Sequence, residues 1–159
     1  MLNLYVERMI RERGTIMGLL KAENVNDSEF DEQVKVCGTV EREADCLPAG
    51  KYRVCIGKCI YHRRKMPFLV PMDSSHCEFC CKARHSHEFG DVSAFTSLPC
   101  AMIQPGNGPF TMGRGSVLVG EVHAPGYVLK SQPLFTTLYE RIKKAVWRGN
   151  VVTLEIKEM

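Results

Sequence analysis

The chain has 159 residues, a formal charge of +3 and 45% hydrophobic residues. That size fits one domain with its own core, and the composition excludes wholesale disorder. No apolar run approaches the roughly 18 residues that span a bilayer, and so mild a charge gives no reason to expect nucleic acid as a partner.

The opening stretch MLNLYVERMIRERG interleaves apolar and charged residues. It has no signal-peptide apolar segment, so the expected location is the cytoplasm, with no membrane partner. Leu2, Leu4 and Val6 then alternate with other residues, the period of a half-buried strand. Arg13-Gly14 reads as a turn into a second strand over Thr15–Lys21. Asn24–Glu32 is polar and acidic and reads as a loop. Val34, Val36 and Val40 predict a third strand. Leu47-Pro48-Ala49-Gly50 is a turn signal, after which Tyr52, Val54, Ile56 and Ile60 share one face of a long fourth strand. Arg63, Arg64 and Lys65 read as a solvated turn, and Phe68-Leu69-Val70 as a brief strand.

Residues 72–98 hold no sustained period and read as a long inserted loop rich in Cys and His. A loop of that length needs something to hold it down. Cys77-Glu-Phe-Cys80 and Cys81-Lys-Ala-Arg-His85 give the spacing of the first three ligands of a zinc knuckle. The fourth position of that pattern falls on Gly90, which has no ligating atom. The candidate zinc set is therefore Cys77, Cys80, His85 and His87, with His76, Cys81, Cys59 and Cys100 as alternatives. Zinc would anchor the loop. The chain's eight cysteines are otherwise expected as free thiols in a reducing compartment.

Cys100–Gln104 predicts a strand, and Pro105-Gly106-Asn107-Gly108-Pro109 a tight loop. Val117–Val122 is a further strand. Ser131 is placed to cap a helix with Pro133 in its first turn. Leu134, Leu138, Ile142 and Val146 recur every four residues, with Phe135 and Ala145 beside them, and the helix ends near Gly149. Arg141, Lys143, Lys144 and Arg148 fall late in it, where the dipole favours cations. Trp147 reads as closing the core, and Val152, Leu154 and Ile156 as a last strand. The expected fold is α+β and mainly β. It is an antiparallel sheet or small barrel with one C-terminal helix packed on it and the long inserted loop.

Two glycine-rich turns, Met102–Asn107 and Thr111–Gly120, let backbone N–H groups approach a ligand or another segment. Together with Thr39-Val40-Glu41-Arg42 and Leu47-Pro48-Ala49-Gly50-Lys51-Tyr52, they carry a resemblance. The order is similar to that of an uncharacterised domain family of bacterial, phage and mobile-element proteins. Its pattern runs TLER, IPAG-x-Y, IHPGN and T-x-GC-x-x-x-G, then a Ser-capped helix and a final strand. The family's His and Cys are similar in turn to the His…Gly-Cys arrangement of L,D-transpeptidases, in which a thiolate attacks a peptidoglycan stem peptide.

This chain departs at both positions. Gln104 stands where the family has His, and Ser116 where it has Cys. Glutamine is no base at neutral pH, and serine without a base is a poor nucleophile. His123 follows Ser116 by seven residues and reads as a surface histidine before a turn. The resemblance thus implies a non-catalytic or degenerate binding or structural module, phage- or mobile-element-associated. Its groove would be lined by Gln104, Gly106, Asn107, Thr111, Gly115 and Ser116, with Glu41 as a neighbour whose reach the sequence leaves open. The partner would be a protein or a cell-wall peptide, and the location would include the virion. The alternatives are a cell-wall peptide transpeptidase or hydrolase with Ser116 as catalytic nucleophile, and a zinc-stabilised interaction module.

Overall fold

The computed structural model describes residues 1–24, 34–59, 63–72, 101–108, 115–124 and 126–158. The strands are β1 (Leu2–Glu12), β2 (Thr15–Asn24), β3 (Val34–Arg42), β4 (Gly50–Cys59) and β5 (Arg64–Pro71). They are followed by β6 (Ile103–Gln104), β7 (Val117–Ala124), β8 (Tyr127–Leu129), helix α1 (Ser131–Trp147) and β9 (Val152–Glu158). A 3₁₀ turn, Glu43–Asp45, follows β3.

One sheet runs β5-β4-β9-β1-β2-β3-β7-β6, and β8 folds back onto β7. β1 pairs with β9, and β6 with β7, in parallel; the other pairs are antiparallel. The β1–β2 turn carries Arg13 and Gly14 at φ 53° and 77°, the two left-handed residues that a tight hairpin with matching twist requires. The sheet curls until its ends meet. Phe68 of β5 bridges Met102, just before β6, and the Leu69 N–H donates to the Ala101 carbonyl at 3.0 Å. β5 lies at an end of the strand path, where Pro67 and Pro71 are tolerated without a donor.

The expected class holds: a mainly β domain with one C-terminal helix on a curled, largely antiparallel sheet. Leu4, Val6, Leu20, Phe68, Ile103, Val119 and Leu154 line the core, and α1 adds Phe135, Leu138, Tyr139 and Ile142. No helix among the described residues is long and apolar enough to cross a membrane. Of the expected inserted loop, residues 73–98 lie outside the described residues, as do most of Asn24–Glu32 and Ile60.

Three local expectations are corrected. The helix stripe centres on Phe135, Leu138, Tyr139 and Ile142, while Leu134 and Val146 are only half-buried. A strict four-residue repeat drifts around a helix of 3.6 residues per turn, so its ends rotate off the core. Trp147 does not close the core but is 86% exposed. It sits five residues past Ile142, about 140° around the axis. Ser131 does not cap α1: it is the first helical residue, after a left-handed Lys130, and the helix start has no side-chain cap.

β3 is buried on both faces. Cys37 joins the main core, with Thr39 and Glu41 buried beyond it along the same face. On the outer face Val40 packs with Met17, Leu118 and Val128 in a second cluster under β8. Close approach of β8 requires Gly120, where a Cβ would lie 2.7 Å from the Val128 Cβ.

Candidate functional site

Alternation along β1 turns Leu2, Leu4 and Val6 inward, and Arg8 follows them on the same face. Glu41 follows Cys37 and Thr39 in the same way on β3. Both charged residues therefore enter one end of the core, at 3% and 1% exposure. Arg8 Nε donates to Glu41 Oε2 at 3.0 Å, and Nη2 donates to Oε1 at 2.8 Å. Nη1 donates to Glu158 Oε1 of β9 at 2.9 Å, and Nη2 also donates to the Leu47 carbonyl. Arg11 Nη2 donates to both Glu158 oxygens at 2.8 Å.

Burial pulls the Arg8 guanidinium down, but its bonds and charge interaction with Glu41, and its bond to Glu158, outweigh that and leave it raised. The same bonds from Arg8 and Arg11 hold the Glu158 carboxyl below its ordinary value. A forked guanidinium–carboxylate pair with every nitrogen engaged is suited to positioning. It ties β1, β3, β9 and the turn at Leu47 to one point.

The resembling segments gather around this end. Gly115, at φ 72°, is buried so close to Leu47 that a Cβ would lie 3.2 Å from Leu47 Cδ2 and 3.3 Å from the Ala101 Cβ. The Tyr52 hydroxyl donates to the Pro48 carbonyl at 2.6 Å, and burial pushes that phenol up. Ser116 Oγ accepts the Met102 N–H at 3.2 Å, and the Val117 N–H donates to the Met102 carbonyl at 2.9 Å. Ser116 and Gln104 are each 1% exposed. Gln104 pairs in register with Leu118, two residues along from Ser116. Both positions thus flank one strand pair and are sealed from solvent.

The glycine loop belongs elsewhere. The Gly106 N–H donates to Ser131 Oγ at 3.0 Å, and that hydroxyl donates to the Val119 carbonyl. The Asn107 carbonyl accepts the Val128 N–H at 3.1 Å. Gly106 and exposed Asn107 line a cavity of about 450 Å³ with Lys130, Ser131, Gln132 and Pro133. The expected groove is therefore split: Gly115 and Ser116 go to the Arg8–Glu41 end, Gly106 and Asn107 to the start of α1, and Gln104 lies buried between them. Thr111 lies outside the described residues, as do Cys77, Cys80, His85 and His87. Among the described residues no cluster of three or more His, Cys, Asp or Glu side chains could hold a metal.

Two features went unread in the sequence. Arg8 alternates with apolar residues, a signal that it faces inward, but its charge argued for solvent. The outer face of β1, β2, β3 and β7 carries a groove of about 430 Å³ lined by Met9, Ile10, Met17, Leu19, Val36 and Val122. Its floor needs Gly38 and Gly120, paired across β3 and β7, which local pattern does not bring together. Comparison of the chain with protein-family models, curated proteins and solved structures found no match.

Proposed function

We propose that this chain is a non-catalytic binding or structural module, phage- or mobile-element-associated, that takes a peptide of a protein or cell-wall partner at the loop Gly106–Asn107. The burial of Ser116 carries this reading. A nucleophile must reach its substrate, and this hydroxyl is 1% exposed and accepts a backbone N–H from Met102. Gln104, where the resembled family has a base, is equally buried and holds no base at neutral pH. The exposed polar surface lies instead at Asn107, Lys130 and Gln132, around a cavity open to solvent.

The test is incubation of the full chain with a muropeptide stem. The expected result is amide shifts at Asn107, Lys130 and Gln132 with no cleaved or transferred product. Turnover abolished by Ser116→Ala would establish the enzyme reading instead. Zinc at Cys77, Cys80, His85 and His87 is compatible with the module. It requires one equivalent of metal by elemental analysis, lost in Cys80→Ser, and a folded metal-free chain would remove it.

A further inference from the structure

Arg141, Lys144 and Arg148 recur at i, i+3 and i+7, one side of α1. With Leu2 and Asn150 they line a cavity of about 180 Å³ where the second half of the helix meets the start of β1. No carboxylate lines it. Among the described residues none of these three heads is in an ion pair, a state they share with other surface cations such as Lys35, Lys51 and Arg53; what sets them apart is that they converge on one concavity. The helix dipole explains a cation in the last turn, such as Lys144, but not Arg141 in the turn before it, nor three heads around one concavity. Trp147, next along the surface, is 86% exposed, with Lys143 Nζ 6.0 Å from its ring centroid.

We propose that this part of α1 binds single-stranded nucleic acid, with Arg141, Lys144 and Arg148 holding a phosphodiester group and Trp147 stacking a base. Three unpaired cations around a pocket concentrate positive potential that the small net charge hides. Two guanidinium forks match the oxygens of a phosphate, and the Asn150 amide adds a neutral donor. A ring standing in water beside such a groove is the stacking platform that single strands use. An anionic membrane fits less well. The outward residues Gln132, Glu140, Lys144, Trp147 and Arg148 include one aromatic side chain, too little apolar area to insert. This surface is distinct from the Gly106–Asn107 loop, and the inference does not depend on the function proposed for that loop.

Trp147 is the only tryptophan, so its emission reports the site. The full chain is titrated with a short oligothymidylate. Quenching is expected, with log K falling against log salt at a slope of about −0.7, as one neutralised phosphate on a single strand gives. Arg141→Gln with Arg148→Gln should weaken binding about tenfold or more in moderate salt while leaving the circular dichroism and the melting midpoint unchanged. Trp147→Ala should weaken binding of a labelled oligonucleotide by roughly tenfold through lost stacking. No quenching at low salt would overturn the proposal. So would binding of inorganic phosphate alone, a blue shift with phosphatidylserine vesicles in place of oligonucleotide binding, or full affinity in the double variant.

Discussion

Arg8 and Glu41 lie 33 residues apart in sequence and join across β2, the strand between them. Gly18 is the β2 residue paired with Arg8 and, on its other side, with Thr39. It has no side chain to stand in the path of the guanidinium. The pair is buried, so each charge depends on the other. Glu41→Gln leaves a desolvated cation with a neutral partner and should cost about 3–5 kcal/mol in urea unfolding. Replacing both residues, Arg8→Met with Glu41→Leu, should recover most of that loss. A single variant as stable as the parent would remove the pair from its place at the centre of this end of the fold.

Gly18 yields a prediction of its own. A Cβ built there would lie 2.3 Å from the Glu7 carbonyl oxygen and 3.0 Å from Thr39 Oγ1. The first neighbour is backbone and cannot rotate aside. Gly18→Ala should therefore force β1 and β2 apart near the irregular register between Arg8 and Ile10, at a cost of about 1–3 kcal/mol. Gly149→Ala serves as a comparison, since its Cβ would meet nothing within 4 Å and its cost comes from φ 78° alone. Thermal unfolding of the two variants separates crowding from backbone strain.

Much of the frame was legible because it is local. Leu2, Leu4 and Val6 declare an inward face, Val152, Leu154 and Ile156 another, and Leu138 and Ile142 the middle of a helix stripe whose expected ends, Leu134 and Val146, turn partly off the core. Period tells which way a side chain points, but not which strand stands beside it. Nothing local places β9 between β4 and β1, and that insertion brings Glu158 to Arg8. The site was legible in part for the same reason. Glu41, Leu47, Gly115 and Ser116 were singled out as motifs, but the convergence of Leu47 on Gly115 depends on how the sheet curls. Arg8 escaped because charge in a strand usually marks the wet face; a buried partner 33 residues away reverses that rule.

The acid limb of stability should carry the mark of Glu158. Its carboxyl is held low, first by the bond from Arg8 and then by that from Arg11. In the unfolded chain it regains an ordinary value, so the unfolded state binds more protons as pH falls through that range. The stability it contributes is present above about pH 4.5 and is lost as pH drops through the lower folded-state value. Arg8 stays charged throughout and adds no slope of its own. Glu158→Gln should flatten the fall in melting midpoint between about pH 5 and pH 3. The effect is modest because the side chain is 41% exposed, and it should shrink further in high salt.

Ser131 separates two roles that the sequence alone runs together. A capping serine precedes the helix and accepts an N–H from its first turn. Here the residue lies inside α1, and its hydroxyl bridges the Val119 carbonyl and the Gly106 N–H. Ser131→Ala removes both bonds in a buried setting and should cost about 1–3 kcal/mol. The location of the damage is the sharper readout. Amide exchange should accelerate at Gly106 and along the Asn107–Val128 contact, while Leu134, whose N–H bonds to the Lys130 carbonyl at 3.2 Å, stays protected. A capping role would produce the opposite pattern, with fraying at Leu134 and an unchanged glycine loop. Because Asn107 lies on that loop, the same variant should also weaken any ligand taken there by loosening the backbone that presents it.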